Sequence, residues 1–225
     1  ANGAFIRAAV DWLQGREERN QLKDDFEAAQ RKVAAGDLSG ALADLRAIAA
    51  HHPGTRWADE AVLLAAEVLH SKGELQAAAA EYQQLARSAK EPQVRTLARL
   101  NLARCRAAGG GPGVEQALAE CWGIWREDQS SPWAASALVE GGKWAYGAGD
   151  LTAAQACFDE VMNTSGYGYE KLFAMLWSAR CRETLGDSAG ALRIYRTVTS
   201  EYPQTSVVPL PWADRDRFAS GYVAN

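Results

Sequence analysis

Apolar side chains recur along this chain at the three- and four-residue spacings of helix faces. Ala41, Leu45 and Ile48 lie on one such face. The same triplet returns as Ala78, Tyr82 and Leu85, as Ala117, Cys121 and Ile124, as Ala154, Phe158 and Val161, and as Ala191, Tyr195 and Val198. The first member is always alanine, the second is usually large and the third is aliphatic. That order suits a helix packed closely on a partner at its small residue, with the larger side chains filling the groove to the next pair. A second set of helices precedes these. Each carries a small residue seven positions before a turn glycine, at Ala29, Ala66, Gly142 and Ala179; the third copy departs with Leu102.

The turns recur as well. Gly36-Asp37, Gly73-Glu74, Gly149-Asp150 and Gly186-Asp187 are separated by 37, 76 and 37 residues, the middle step being two periods of 38. The missing copy falls in Gly109-Gly110-Gly111-Pro112-Gly113, a stretched turn. Glycine suits the left-handed residue after a helix, and aspartate suits the N-cap of the next. A repeat of this length predicts a solenoid of about five helix pairs, A then B, over residues 21–203. Pro53 and Pro203 end the first and last B helices.

The flanks read differently. Phe5, Ile6, Ala9, Val10 and Leu13 predict a short amphipathic helix within residues 1–20, an N-terminal cap or the stub of an upstream segment. Trp57-Ala58-Asp59 and Trp133-Ala134-Ala135 open A helices two periods apart, and Trp212-Ala213-Asp214 repeats the theme. Residues 204–225 are therefore expected to supply a lone helix from Trp212 to about Tyr222 that covers the last pair, since an end repeat otherwise leaves an apolar face open.

Composition narrows the function classes. The chain has 225 residues, 48% of them apolar, with a net charge of −4. An acidic balance argues against nucleic acid as the main ligand. No run of about 18 apolar residues is present to span a membrane, although a removed leader or anchor stays open because the sequence begins without Met. Cys105, Cys121, Cys157 and Cys181 form no C-x-x-C pair and lie in apolar helical stretches. They are expected to be buried thiols, with a Cys105–Cys121 bridge as the alternative.

No catalytic, cofactor or metal constellation emerges. His51-His52 sits at a helix end, where a cation suits exposed carbonyls. Glu17-Glu18 and Asp24-Asp25 read as solvated helix charges. The glycine run lacks the Lys-Ser/Thr of a phosphate loop. Gly166-Tyr167-Gly168-Tyr169 reads as an inter-pair loop whose tyrosines offer an exposed recognition patch. Trp122 and Trp125, three apart, are expected to leave one ring exposed for a second partner or for self-association.

The whole pattern (small residue in helix A, Gly-Asp turn, then Ala, aromatic, aliphatic and Pro in helix B) resembles the tetratricopeptide repeat. Asp187 to Pro203 is the fullest copy. The resemblance implies an all-α, right-handed α-solenoid that binds proteins without catalysis. The period of 37–38 and turns such as His52-Pro53-Gly54-Thr55-Arg56-Trp57 are similar to repeats of bacterial cell-envelope proteins of the Tol-Pal coordinator and outer-membrane assembly lipoprotein types. That similarity implies a periplasmic or envelope location, with the cytoplasm as alternative. In such repeats helix A lines a concave peptide-binding groove. Carried over by register, the groove positions are Glu67 and His70, then Arg99 and Arg106, then Glu140, Lys143 and Tyr146, then Trp177 and Arg180. Four basic side chains here suit an acidic segment or a C-terminal carboxylate, with Tyr146 and Trp177 as aromatic anchors. The carboxylate clamp for chaperone tails is not reproduced, since Ala103 stands where an asparagine would. The expected role is an adaptor for a partner peptide or helix. A self-associating structural module, or a regulatory or targeting domain of a larger enzyme or membrane protein, are the alternatives.

Overall fold

The computed structural model describes residues 20–131, 133–164 and 168–202. Among them lie ten helices and no strand, packed in sequential pairs, so the chain is all-α. They are α1 (residues 20–34), α2 (Leu38–His51), α3 (Arg56–Ser71), α4 (Leu75–Ser88), α5 (Pro92–Ala108), α6 (Pro112–Glu127), α7 (Ala134–Gly147), α8 (Leu151–Asn163), α9 (Gly168–Thr184) and α10 (Ser188–Glu201). Two compact units divide the chain between Cys105 and Arg106, within α5. The helices expected before residue 20 and after residue 203 lie outside the described residues.

One device makes the tight turns. Gly36, Gly73, Gly149 and Gly186 have φ of 81°, 78°, 85° and 82°, in the left-handed region that costs glycine least. The following amide donates back across the turn to a carbonyl five residues earlier, Asp37 to Lys32, Glu74 to Leu69, Asp150 to Ala145 and Asp187 to Arg182, at 2.8–3.0 Å. These bonds satisfy carbonyls that the helix end would leave open. Asp37, Asp150 and Asp187 then accept the amides of Gly40, Ala153 and Gly190 as N-caps, whereas Glu74 makes no side-chain cap. The stretched turn works differently: Gly110 and Gly111 both have positive φ, and Pro112 and Gly113 already belong to α6.

In the first unit the core joins Leu22, Phe26 and Ala29 of α1 to Leu42, Leu45 and Ile48 of α2. Ala61, Ala65, Ala66 and Leu69 of α3 continue it toward Tyr82 and Cys105. Trp57 stacks at a tilt on Phe26, with centroids 5.4 Å apart. Arg95 ties down the α4–α5 turn by donating to the carbonyls of Ala89 and Lys90, both at 2.9 Å.

In the second unit Leu138, Ala145, Cys157, Phe158, Val161 and Trp177 form the centre. Gly141 and Gly142 let α7 approach its neighbours. A Cβ on Gly142 would lie 2.6 Å from the Phe158 ring, and one on Gly141 would lie 3.1 Å from the Cβ of Cys121. The repeated alanine of every B helix is buried, as are Leu45, Tyr82, Cys121 and Phe158 after it. Tyr195, their counterpart in α10, is only half-buried.

Two sequence expectations change here, and of the two readings of the cysteines the buried thiol holds. Trp125 is 1% exposed and its indole donates to Glu160 Oε1 at 3.0 Å, while Trp122 is half-buried against the same core. Neither ring stands open, because α6 turns both inward. Cys105 is a free buried thiol, so the Cys105–Cys121 bridge is not formed; Cys121 is buried too. Gly168 and Tyr169 open α9 and do not lie in a loop, with Tyr169 75% exposed; Tyr167 lies outside the described residues.

Candidate functional site

The A helices of the second unit bring five of the expected positions into two small clusters. On α7, Lys143 Nζ reaches Glu140 Oε1 at 2.7 Å, with both side chains mostly covered. The pair is one helical turn apart, the spacing at which opposite charges meet. Its cation is therefore already matched by an anion. One turn further, Tyr146 sets its edge against the Trp177 ring of α9 at 5.4 Å and 65°. Its hydroxyl is 3.1 Å from Thr184 Oγ1, either atom able to donate. Trp177 is itself 8% exposed and stacked on Phe158 of α8 at 6.3 Å. The tryptophan expected as an anchor is thus a floor, and Tyr146 is the ring left half in solvent.

Arg180 stands beside this ring. Its Nη1 donates to Glu183 Oε2 at 3.2 Å. The guanidinium is held above its ordinary value first by Glu183, with Tyr146 contributing in the same direction. Burial pushes the Tyr195 phenol of α10 up to about 12, and Glu183 adds to the rise. Tyr146, Arg180, Glu183, Thr184 and Tyr195 therefore make one patch of hydroxyls, ring edges and a charge pair. Such a surface can pack an apolar side chain against Tyr146 and exchange hydrogen bonds through Arg180 and Thr184.

The first unit holds a different cluster. Glu67 and His70 lie one turn apart on α3, and Arg104 of α5 acts on both. Burial raises the Glu67 carboxyl above its ordinary value although part of the side chain meets solvent, and Arg104 opposes the rise. Burial lowers half-buried His70, and Arg104 lowers it further. Arg104 is oriented by Asn101 Oδ1 at 2.8 Å. Arg99 is half-buried on α5 within the first unit, and Arg106 is half-buried where the second begins.

Sequence reasoning missed Arg104, Glu183, Thr184 and Tyr195. Thr184 and Glu183 sit in the last turn of α9, one turn beyond Arg180. Continuing the helical spacing past the expected groove row would have found them. Arg104 carried no such signal, because the glycine-rich turn after α5 shifts the register.

His51 ends α2 and His52 caps it, both exposed; with Asp25, Asp44, Ala28, Ala47 and Ile48 they line a shallow cleft of about 260 Å³. Asp44 in that cleft is paired with Lys32 at 2.6 Å. Among the described residues no group of three or more His, Cys, Asp or Glu is placed to hold a metal ion, and no helix is long and apolar enough to cross a membrane. The thiols of Cys105, Cys157 and Cys181 are pushed by burial to about 11, 12 and 11, so at neutral pH they are poor nucleophiles.

Comparison with known proteins matches two parts of the chain to family models. Residues 12–121 match the tetratricopeptide repeat-like domain, and residues 173–205 match the tetratricopeptide repeat. No curated protein matches the sequence. Among solved structures, nearly identical TPR-like repeats from Podosopora anserina share 17% identity, covering 83% of this chain and 97% of that one with a TM-score of 0.64. A tetratricopeptide repeat protein from Parabacteroides merdae shares 20%, covering 83% and 68% with a TM-score of 0.62. The BtubC protein of P. vanneervenii shares 16%, covering 88% and 80%, also with 0.62. At such identities these structures speak for the fold alone.

Proposed function

We propose that this chain, a tetratricopeptide-like repeat protein, is a non-catalytic adaptor that docks a peptide or helix of a partner protein on the A-helix face of its second unit. Repeats of this kind imply protein partners. The observation that carries the location is the Tyr146 ring, set on the Trp177 floor with Arg180 and Thr184 beside it. A half-buried ring backed by a rigid ring gives contact area at little ordering cost, and an arginine at its rim gives direction. Because Lys143 is matched by Glu140 and Arg180 by Glu183, the face is less cationic than its basic residues suggest. An acidic partner segment would bind by displacing Glu183 from Arg180 more readily than by simple charge attraction. Glu67, His70 and Arg104 form a second candidate face in the first unit, which suits a hydrogen-bonding group better than a bare charge.

The long repeat period supports a place in a bacterial cell-envelope assembly. Osmotic-shock fractionation of the source organism, with an antibody to this chain, would put it in the periplasmic fraction; recovery with cytoplasmic markers would count against that placement. For the binding face, wild type is compared in pull-downs with Tyr146→Ala and Arg180→Glu variants of unchanged helicity. A specific partner retained by wild type and reduced by both variants is the expected result. A partner held equally by all three would refute the face.

A further inference from the structure

Arg104 of α5 is held in place but not matched by an anion. Among the described residues it makes one hydrogen bond, to Asn101 Oδ1 at 2.8 Å, and no ion pair. Asn101 is buried and one turn back on the same helix, so it fixes the direction of the half-buried guanidinium. Other cations of the first unit behave differently: Lys32, Arg56 and Lys72 each lie 2.6 Å from a carboxylate.

The guanidinium faces a cluster drawn from three helices. It acts on Glu67 and His70 of α3, on Tyr82 of α4 and on Cys105 beside it. Glu67 and Arg104 thus feel each other without closing into a pair. Tyr82 is the floor. It is 2% exposed and shares a core with Ala66, Leu69 and Cys105, while its phenol feels both Glu67 and Arg104. Among the described residues that hydroxyl meets no hydrogen-bond partner. An unpartnered hydroxyl on a buried side chain calls for an explanation.

The groups have complementary roles. Arg104 donates, Glu67 accepts and the Tyr82 hydroxyl does either. The two charges oppose each other, so a bare anion would be repelled by Glu67 and a bare cation by Arg104. A neutral group with both an acceptor and donors meets neither penalty. A primary carboxamide has one carbonyl and two N–H donors at the end of a stem, and so reaches a floor. A backbone amide is flanked by Cα atoms on both sides and lies across a surface instead.

We propose that Glu67, Tyr82 and Arg104 form a socket for the side-chain carboxamide of an asparagine or glutamine in a partner segment. Its carbonyl oxygen accepts from Arg104, and its N–H groups donate to Glu67 and to the Tyr82 hydroxyl. His70 stands at the rim. A carboxylate in the same place has no donor for Glu67, and an aliphatic side chain leaves all three groups unmatched. The proposal rests on the first-unit face of the adaptor and uses no residue of the Tyr146–Arg180 patch, so either can fail without the other.

NMR of the full chain with isotope-labelled histidine tests it at neutral pH. The chain has three histidines; exposed His51 and His52 are internal controls, and His70→Gln identifies the third signal. The probes are acetyl-glycyl-glutaminyl-glycine N-methylamide and its glutamate and norleucine counterparts, which share one backbone. The glutamine peptide is expected to shift the His70 signal saturably, leaving the controls unmoved. The glutamate peptide should bind about tenfold more weakly, and the norleucine peptide should give no shift. Tyr82→Phe keeps the buried ring and should weaken glutamine-peptide binding about fivefold. Arg104→Met, with helicity unchanged, should abolish it. An equal shift from the norleucine peptide, equal or tighter binding of the glutamate peptide, full binding to Tyr82→Phe, or no saturable shift at millimolar glutamine peptide would each overturn the socket.

Discussion

Gly142 shows how much one hydrogen decides at the helix crossings. Glycine inside a helix costs roughly 1 kcal/mol relative to alanine, so replacement by alanine should stabilise where space allows. At Gly147 a Cβ would meet nothing within 4 Å, and Gly147→Ala is expected to raise stability by up to about 1 kcal/mol. At Gly142 it would lie 2.6 Å from the fully buried Phe158 ring, which cannot step aside. Overpacking of that kind costs about 1–3 kcal/mol, so Gly142→Ala should destabilise on balance, by urea titration with an unchanged m-value. Glu74 offers the reverse case. It fills the N-cap position that Asp37, Asp150 and Asp187 use, but its longer side chain makes no cap bond. Glu74→Asp should gain about 0.5–1 kcal/mol. His70 supplies the pH dependence. Its folded value is depressed below the ordinary 6.5, first by burial and then by Arg104. Between those two values the unfolded chain binds more protons, so stability falls as pH drops below about 6.5. Glu67 has the opposite sign: its raised carboxyl contributes stability that is lost as pH rises above its ordinary 4.5. A melting series from pH 7 to 5 should show a smaller loss in His70→Gln than in wild type. Equal slopes would remove His70 from the account.

At the scale of elements, the pairing of small and large residues does most of the specifying. The alanine that opens each B-helix triplet is buried in every copy, and the large residue after it is buried wherever a following A helix packs on it. That periodicity was legible in the sequence because it is a local, repeated constraint. Side-chain direction at the A-helix face was less so. Register put Glu140, Lys143, Tyr146, Trp177 and Arg180 on α7 and α9, yet could not say that Trp177 would be drawn under Tyr146 onto Phe158. Nor could it show that Lys143 and Arg180 would find their own carboxylates, since i, i+3 neighbours compete with solvent and partners alike. Trp125 failed for the same reason: spacing placed it beside Trp122, but burial followed from a hydrogen bond to Glu160, two helices away. These placements separate two effects that should be measured apart. Trp177→Ala removes a buried ring and should cost about 3–5 kcal/mol. Tyr146→Phe keeps the ring contact and gives up one half-exposed hydrogen bond, worth about 1 kcal/mol. Thermal melts of the two variants should therefore differ widely, and similar melts would mean that Trp177 is not the floor of the patch.

At the scale of the molecule, the repeat turned a long chain into nearest-neighbour problems, and so the fold could be read from one unit copied along the sequence. The glycine-rich stretch after α5 was visible as an irregular turn, but nothing local announced that the chain divides into two compact units at Cys105 and Arg106. Of the expected row of nine binding residues, Glu67 and His70 therefore lie with Arg104 in the first unit, whereas Tyr146, Trp177 and Arg180 make a patch within the second. The second of these is the face proposed to meet a partner protein. A photo-cross-linking amino acid placed at Tyr146 in the full chain, irradiated in extract of the source organism, tests it most directly. The same group at Tyr169, an exposed ring at the start of α9, serves as the control. A discrete adduct is expected from position 146 that Arg180→Glu abolishes and that position 169 does not give. An adduct unaffected by Arg180→Glu, or one obtained from position 169 alone, would contradict it.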